Sequence, residues 1–366
     1  MLTYLTLAVM TGVGLQYFLL WYLIGYHFKK HESNLHALPV VNVLLPCRNE
    51  AHTLPDCLQA FEDLRYPVDK IRFYVADDHS EDQTAAILSR WTAAGENRHL
   101  VSLPHPPGKQ ENGKAVALAA MIDRAGEGLL LFTDADCIVP AGWAETMSKA
   151  YRSEFGLLTG ITTISGNGFF QRMQSLDWWL VLGKVKVVSD LGFSLTAMGN
   201  NMMADRDAYH RSGGFAAVRD QVTEDLALSI NMYRQGYRPA HLVNKDVLVK
   251  TRPQKSFGSL LEQRKRWARG AFSLPWYWQM LLGLQVVFYL ALVVGLIQSF
   301  WLAAGIWGLK ICFQSMFMST FARKTETKIG LIPLLGFEIY NWLISWSTVL
   351  YYFWPSGIKW KNRKYR

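Results

Sequence analysis

Four groups of residues in this 366-residue chain have types and spacings that suit chemistry on phosphates and hydroxyls. Asp134-Ala135-Asp136 directly follows the apolar run 129–132. Carboxylates two apart in a turn can present oxygens to one hard divalent cation, Mg2+ or Mn2+, which shares its other positions with water and diphosphate oxygens. Asp77-Asp78-His79-Ser80-Glu81-Asp82-Gln83-Thr84 follows another apolar run. Its first two carboxylates can accept hydrogen bonds from a base or ribose, while Ser80 and Asp82 can equally cap the next helix. Thr223-Glu224-Asp225 opens a helical stretch. Capping by Thr223, with acidic groups near the helix dipole, is adequate there locally. The functional reading makes Asp225 a general base that takes a proton from an acceptor hydroxyl. In Gln263-Arg264-Lys265-Arg266-Trp267, the residues Gln263, Arg266 and Trp267 share one helix face at i, i+3 and i+4. An Arg so placed can grip a diphosphate and a Trp can stack on a sugar ring. A basic cluster beside a membrane is the plainer explanation of that motif alone.

These residues need elements to position them. Residues 38–270 alternate between short apolar runs (40–45, 71–76, 99–103, 129–132) and helical stretches near 53–63, 82–95 and 112–125. Such alternation predicts an α/β fold with a parallel sheet and helices on both faces. Ligands bind at the carboxyl ends of strands in these sheets. Arg48, Asn49 and Glu50, then Asp77 and Asp78, then Asp134 and Asp136, all fall just past predicted strand ends. Gly108 to Lys114 fits G-x-x-x-x-G-K, but a P-loop needs Ser or Thr next, and position 115 is Ala.

Half of the residues are hydrophobic, and they are segregated. Residues 1–26 carry no charged side chain, and about 20 apolar residues suffice to cross a bilayer. Positive charge follows this stretch, at Lys29 and Lys30, so 3–26 is expected to be a retained anchor and not a cleaved signal. The basic flank places the following domain in the cytosol. Between 271 and 322 the only charge is Lys310, which leaves room for spans near 278–297 and 300–320; a further apolar stretch, 329–353, contains Glu338. The tail is basic, so an odd number of crossings after the domain conflicts with positive-inside topology, and one segment is expected to be re-entrant or interfacial. The expected division is an anchor over 1–30, a catalytic domain over 38–270, a membrane region of two to three segments over 271–354, and a basic tail over 355–366. Residues 169–191 and 256–272 mix aromatics with Lys and Arg, as helices lying in a membrane interface do; core-facing helices are the other reading, above all for the first. The net charge of +9 is accounted for by these flanks and attraction to lipid headgroups. No basic stripe sits on a nucleic-acid motif, and no nucleic-acid partner is expected. The four cysteines show no C-x-x-C spacing and are expected to be reduced.

Taken in order, Pro46-x-x-Asn49-Glu50, D-D-x-S-x-D-x-T, Gly113-Lys114-Ala115-x-Ala117-Leu118, D-A-D, Gly199-Asn200-Asn201, T-E-D and Q-x-x-R-W resemble the membrane-integrated family 2 inverting glycosyltransferases of GT-A fold. That group includes cellulose, hyaluronan and poly-N-acetylglucosamine synthases and ceramide glucosyltransferases. The resemblance covers about residues 40–270. It implies a nucleotide-sugar donor, expected to be a UDP-sugar, and a lipid-linked or glycan acceptor beside the bilayer of a plasma or inner membrane. By the same resemblance Glu50, Asp78 and Asp77 hold the uridine part. Lys114 lies near the phosphates, Asp134 and Asp136 bind the metal, and Asp225 is the base. Gln263, Arg266 and Trp267 hold the diphosphate and frame the acceptor, with Asn200 and Asn201 on the acceptor side. A processive polysaccharide synthase is the second expectation, and an inactive membrane scaffold or transport protein the third.

Overall fold

The computed structural model describes residues 2–31, 37–103, 111–360 and 363–365. Residues 108–110 of the G-x-x-x-x-G-K run lie outside the described residues, as do 361, 362 and 366 of the basic tail. In chain order the elements are helix α1 (Leu2–Tyr26), strand β1 (Val41–Cys47), α2 (Leu54–Glu62), β2 (Ile71–Asp77), α3 (Thr84–Ala93), β3 (Arg98–Val101), α4 (Gly113–Arg124) and β4 (Leu129–Thr133). There follow β5 (Cys137–Ile138), α5 (Trp143–Lys149), β6 (Leu157–Thr159), β7 (Thr162–Ile164), α6 (Phe169–Asp190), β8 (Asn201–Ala204), α7 (Arg206–Arg211), α8 (Glu224–Arg234), β9 (Pro239–His241) and β10 (Val249–Thr251). The chain continues with α9 (Phe257–Ala271), α10 (Trp276–Gln298), α11 (Phe300–Arg323), α12 (Leu331–Phe353), β11 (Ile358–Trp360) and β12 (Arg363–Tyr365).

The chain divides into two compact units. One comprises Lys30–Ser165, Val188–Arg252 and Gly357–Arg366. Its main sheet has the order β3-β2-β1-β4-β8-β6-β9. The strands β3, β2, β1 and β4 run parallel, as expected from the alternation of strand and helix. β1 is buried along its whole length, which is why it reads as a continuous apolar run and not as an alternating one. The second half of the sheet departs from expectation: β8 is antiparallel to both β4 and β6. Its pairing sets Thr133 opposite Asn201, so the start of β8 lies at the carboxyl end of β4. An all-parallel sheet would have sent Asn200 and Asn201 to the opposite edge. Helix α4 starts at Asn112, whose side chain accepts from the backbone N–H groups of Lys114 and Ala115. It lays Ala115, Ala117, Leu118, Met121 and Ile122 on the core, with Phe132, Phe215 and Leu228 in the same cluster. Full burial of Met121 or Ile122 contributes on the order of 1.5–3 kcal/mol.

The other unit comprises the residues up to Lys29 together with Gly166–Val187 and Pro253–Ser356. Three of its helices, α1, α10 and α11, are long and apolar enough to cross a membrane. α12 matches them with 23 residues but, with Glu338, Asn341, Ser345, Ser347 and Thr348 among them, does not belong to that set. Polar pairs tie these helices together. Tyr17 donates to Gln285 at 2.9 Å, and Lys310 meets Glu338 at 2.5 Å with both side chains almost wholly buried. Within this unit α6 turns its Trp179 edge-on to Phe321 of α11, so the core-facing reading holds for that face. α9 begins at Ser256, whose side chain forms a capping box with Ser259.

Candidate functional site

The carboxyl ends of β1 and β2 lie level, with Cys47 opposite Asp77. The loops that follow are bonded into one rim. Arg48, buried, donates to the backbone carbonyls of Asp78 at 2.5 Å and His79 at 3.0 Å. The Asn49 N–H donates to Ser80, the Asn49 side chain accepts from the Glu81 N–H, and the Ala51 N–H donates to Asp82. Asp82 also accepts from the N–H and hydroxyl of Thr84, so of the two expected caps Asp82 acts on the helix start as well as across the loops, while Ser80 joins the two loops. Asn49 and His79 hold φ of 51° and 56°, a region that non-glycine residues adopt rarely and mostly where surrounding contacts fix them. Glu50 is buried, its carboxylate accepting from Thr53 at 2.5 Å. Asp77 Oδ2 accepts from the Ser80 N–H at 3.1 Å, while Oδ1 is buried with no hydrogen-bond partner among the described residues. Asp78 is buried beside His79. Glu50, Asp77 and Asp78 thus share this rim.

The second cluster gathers at the end of β4. Asp134 is paired with the Lys114 ammonium at 2.6 Å, and the same ammonium lies 3.4 Å from Glu224. Lys114 is only 12% exposed. Burial favours loss of its proton, but the Asp134, Glu224 and Asp225 carboxylates outweigh burial and hold it above the ordinary lysine range. Burial raises the Glu224 carboxyl, Lys114 opposes this, and Asp225 adds to it. Asp225 Oδ2 accepts from the Gly199 N–H at 2.8 Å, and its Oδ1 accepts from the Leu226 N–H. Thr223 occupies the N-cap position of α8 without a side-chain capping bond, while Glu224 and Asp225 lie in the first turn of that helix, as the local reading has them. A Cβ on Gly199 would sit 3.2 Å from both Asp225 Oδ2 and Lys114 Nζ, so glycine permits this close approach.

Asn200, next to Asn201 at the end of β4, accepts from Thr162 at 3.3 Å and is partly exposed. Asn201 corrects an expectation. Its side chain is fully buried, accepts from the Trp143 indole at 2.9 Å and donates to the carbonyls of Ile161 and Val247. With these bonds made inside the fold, Asn201 presents no group to an acceptor; it braces the loop that carries Asn200.

Asp134 and Asp136 are both partly exposed, and Asp136 accepts from Cys137 at 3.5 Å. Among the described residues no three His, Cys, Asp or Glu side chains form a metal cage. Two hard oxygen donors open to solvent fit a Mg2+-type ion that draws its remaining ligands from water and substrate phosphates. Cys57 and Cys137, free and buried nearby, have thiols pushed well up, first by burial and then by neighbouring charges that include Asp136.

Gln263, Arg266 and Trp267 lie on α9, in the other unit, all partly buried. Trp267 packs edge-on against Trp178 of α6 at 5.7 Å and carries the Arg264 guanidinium 5.2 Å from its ring centroid. Arg264 is ion-paired with Asp177, and Lys265 donates to the carbonyls of Trp354 and Ser356. Two of the basic residues in this motif therefore serve packing inside their own unit. Sequence reasoning passed over Asp177, Glu224, Asn112 and Trp143. Only Glu224 carried a signal, as the middle residue of T-E-D.

A mannosyltransferase from Pyrobaculum calidifontis, solved in complex with GDP-Man and Mn2+, superposes with a TM-score of 0.60 over 96% of this chain and 98% of that one at 17% identity, a likeness of fold. In sequence, the chain is 29% identical over 246 residues to an N-acetylglucosaminyltransferase of Mesorhizobium japonicum, covering 64% of this chain and 56% of the relative. It is 27% identical over 248 residues to a poly-beta-1,6-N-acetyl-D-glucosamine synthase of Staphylococcus aureus, covering 66% and 57%. The chain thus spans little more than half the length of these curated relatives. A family model matches residues 4–366, nearly the whole chain, and with the mixed α/β sheet and acidic strand ends already described it shows that the chain belongs to glycosyl transferase family 21.

Proposed function

We propose that this chain is a membrane-bound inverting glycosyltransferase that moves a sugar from a nucleotide-sugar, a UDP-sugar, to a lipid-linked or amphipathic glycan acceptor. The observation that carries the reading is the cluster in which Asp225, Lys114 and Asp134, from three separate stretches of sequence, gather at one end of the sheet. Glu50, Asp77 and Asp78 form the rim for the uridine part, and the unpartnered Asp77 Oδ1 is a ready acceptor for a ribose or base donor. Lys114 holds its proton, as a group facing the phosphates must. Asp134 and Asp136 would hold Mg2+ or Mn2+, which supplies neutralisation of the leaving diphosphate when bound. Asp225 takes the proton of the attacking hydroxyl, and the Gly199 N–H fixes its carboxylate orientation. One displacement at the anomeric carbon needs one base and no enzyme nucleophile, which gives inversion. Asn200 stands on the acceptor side. The assignment of Gln263 and Arg266 to the diphosphate and of Trp267 to the acceptor sugar rests on their spacing along α9.

The domain reading follows the same line: an anchor over 1–30, a catalytic domain over 38–270 in the cytosol, a membrane region over 271–354 and a basic tail. Crossings by α1, α10 and α11 alone would leave Lys29, Lys30, Arg323, Lys324 and the tail on the cytosolic side, in keeping with the positive-inside rule. In that arrangement α12 is the interfacial or re-entrant segment.

The test is a panel of UDP- and GDP-sugars incubated with purified protein and membrane lipid extract, read by mass spectrometry of the products. Asp225→Asn is expected to lower transfer by at least about 100-fold while UDP affinity survives, the scale of a lost general base. Normal turnover by that variant removes Asp225 from the role. Asp136→Ala is expected to weaken UDP binding only when the divalent ion is present; equal UDP affinity with and without chelator contradicts the metal assignment. Processive synthesis is favoured by the Q-x-x-R-W spacing, and product length from a single donor decides it.

A further inference from the structure

The functional reading leaves Glu224 without a role, although it is buried at the centre of the second cluster. We propose that Glu224 is a positioning residue: it shares the Lys114 ammonium with Asp134, keeping Lys114 beside Asp225 and leaving Asp134 able to serve a cation and diphosphate. The proposal rests on the donor reading above.

Three contacts carry it. Glu224 Oε1 lies 3.4 Å from Lys114 Nζ, the same ammonium that stands 2.6 Å from Asp134. Glu224 Oε2 accepts from the Asn112 side chain at 2.8 Å. Asn112 in turn caps α4 through the N–H of Lys114 and donates to the carbonyl of Gln221. One carboxylate therefore fastens the start of α8, which bears Asp225, to the start of α4, which bears Lys114. The electrostatics give this arrangement a purpose. An ammonium in contact with Asp134 competes with any cation that Asp134 is to bind, and the Lys114 side chain, mostly shielded from water, is weakly screened. A second carboxylate against the same ammonium offsets the pull. Without it, attraction concentrates on Asp134.

The experiment is a double-mutant cycle on the full-length protein in detergent, with UDP in the presence of Mn2+ as the probe and calorimetry as the readout. Glu224→Gln keeps an oxygen for Asn112 and removes the charge. It is expected to weaken UDP binding roughly tenfold in the otherwise native chain, the size of coupling that contacting charged residues show. In a Lys114→Met background the same substitution is expected to cost less than about twofold, because the competitor is gone. Equal penalties in the two backgrounds, or no penalty in the first, overturn the proposal. Thermal unfolding of each variant separates a packing defect, which would lower the unfolding temperature in both backgrounds without any coupling. Should Glu224→Gln fail to fold, Glu224→Asp, which withdraws the charge by one methylene, runs the same cycle with the same outcomes. A native chain that binds no UDP overturns the donor reading and this proposal with it; binding with equal penalties overturns the proposal alone.

Discussion

At the scale of single residues, the acidic motifs were legible because carboxylates are costly to bury and so stand out after apolar strands. Asp134 and Asp136 stand out by spacing after an apolar strand, Asp225 by the resemblance of T-E-D to a family motif, and the structure sets Asp134 and Asp225 around one ammonium. What spacing does not report is how closely backbone must approach. Gly199 is the clearest instance, lying between Asp225 and Lys114 with no room for a methyl group to sit easily. Gly199→Ala is expected to displace one of these groups, costing about 1–3 kcal/mol of stability as small-to-large changes in packed sites do. Turnover should fall more than stability predicts. The comparison of unfolding temperature with kcat checks it, and a variant with native values for both would show that this approach is not a constraint.

At the scale of elements, the parallel half of the sheet follows from its sequence. Strands β1, β2 and β4 are short apolar runs that stop at polar residues, and helices of about ten residues separate them. The antiparallel β8 was not legible. A four-residue strand carries no mark of direction, since its side chains alternate identically either way. Direction came from where the chain re-enters the sheet after α6. This single fact brings the start of β8 to the carboxyl end of β4, where the buried Asn201 side chain accepts from the Trp143 indole. Asn201→Ala is expected to cost about 1–3 kcal/mol, the penalty for leaving the Trp143 indole and two carbonyls unsatisfied in a dry site. The acceptor KM of the folded fraction should stay unchanged. A raised KM with native unfolding temperature would return Asn201 to the acceptor side.

At the scale of the whole molecule, composition predicts membrane-spanning segments, and three helices have the length and hydropathy to cross a bilayer. Their charges are fewer and more telling. Lys310 and Glu338 are paired in the helical unit, joined by Trp307 and Gln314. Removing one partner strands the other charge. Lys310→Met is expected to cost about 3–5 kcal/mol, and Lys310→Met with Glu338→Gln together should recover most of it, as is usual for buried pairs. Thermal unfolding of the protein in nanodiscs measures both. Additive losses would mean that the pair contributes no more than its separate side chains.

The sequence by itself determined the parallel strands and the apolar helices, because these depend on local composition and on periodicity, which neighbouring residues carry; the class of chemistry came from the order of its motifs and the family they resemble. The sequence also determined which carboxylates are candidates. Only the tertiary structure decided which groups share an ammonium, that Glu224 joins two helix starts, that Asn201 faces inward and that Arg264 belongs to Asp177. Those outcomes depend on pairings between residues tens to more than a hundred positions apart, and such pairings are set by packing and strand direction, which no local pattern records.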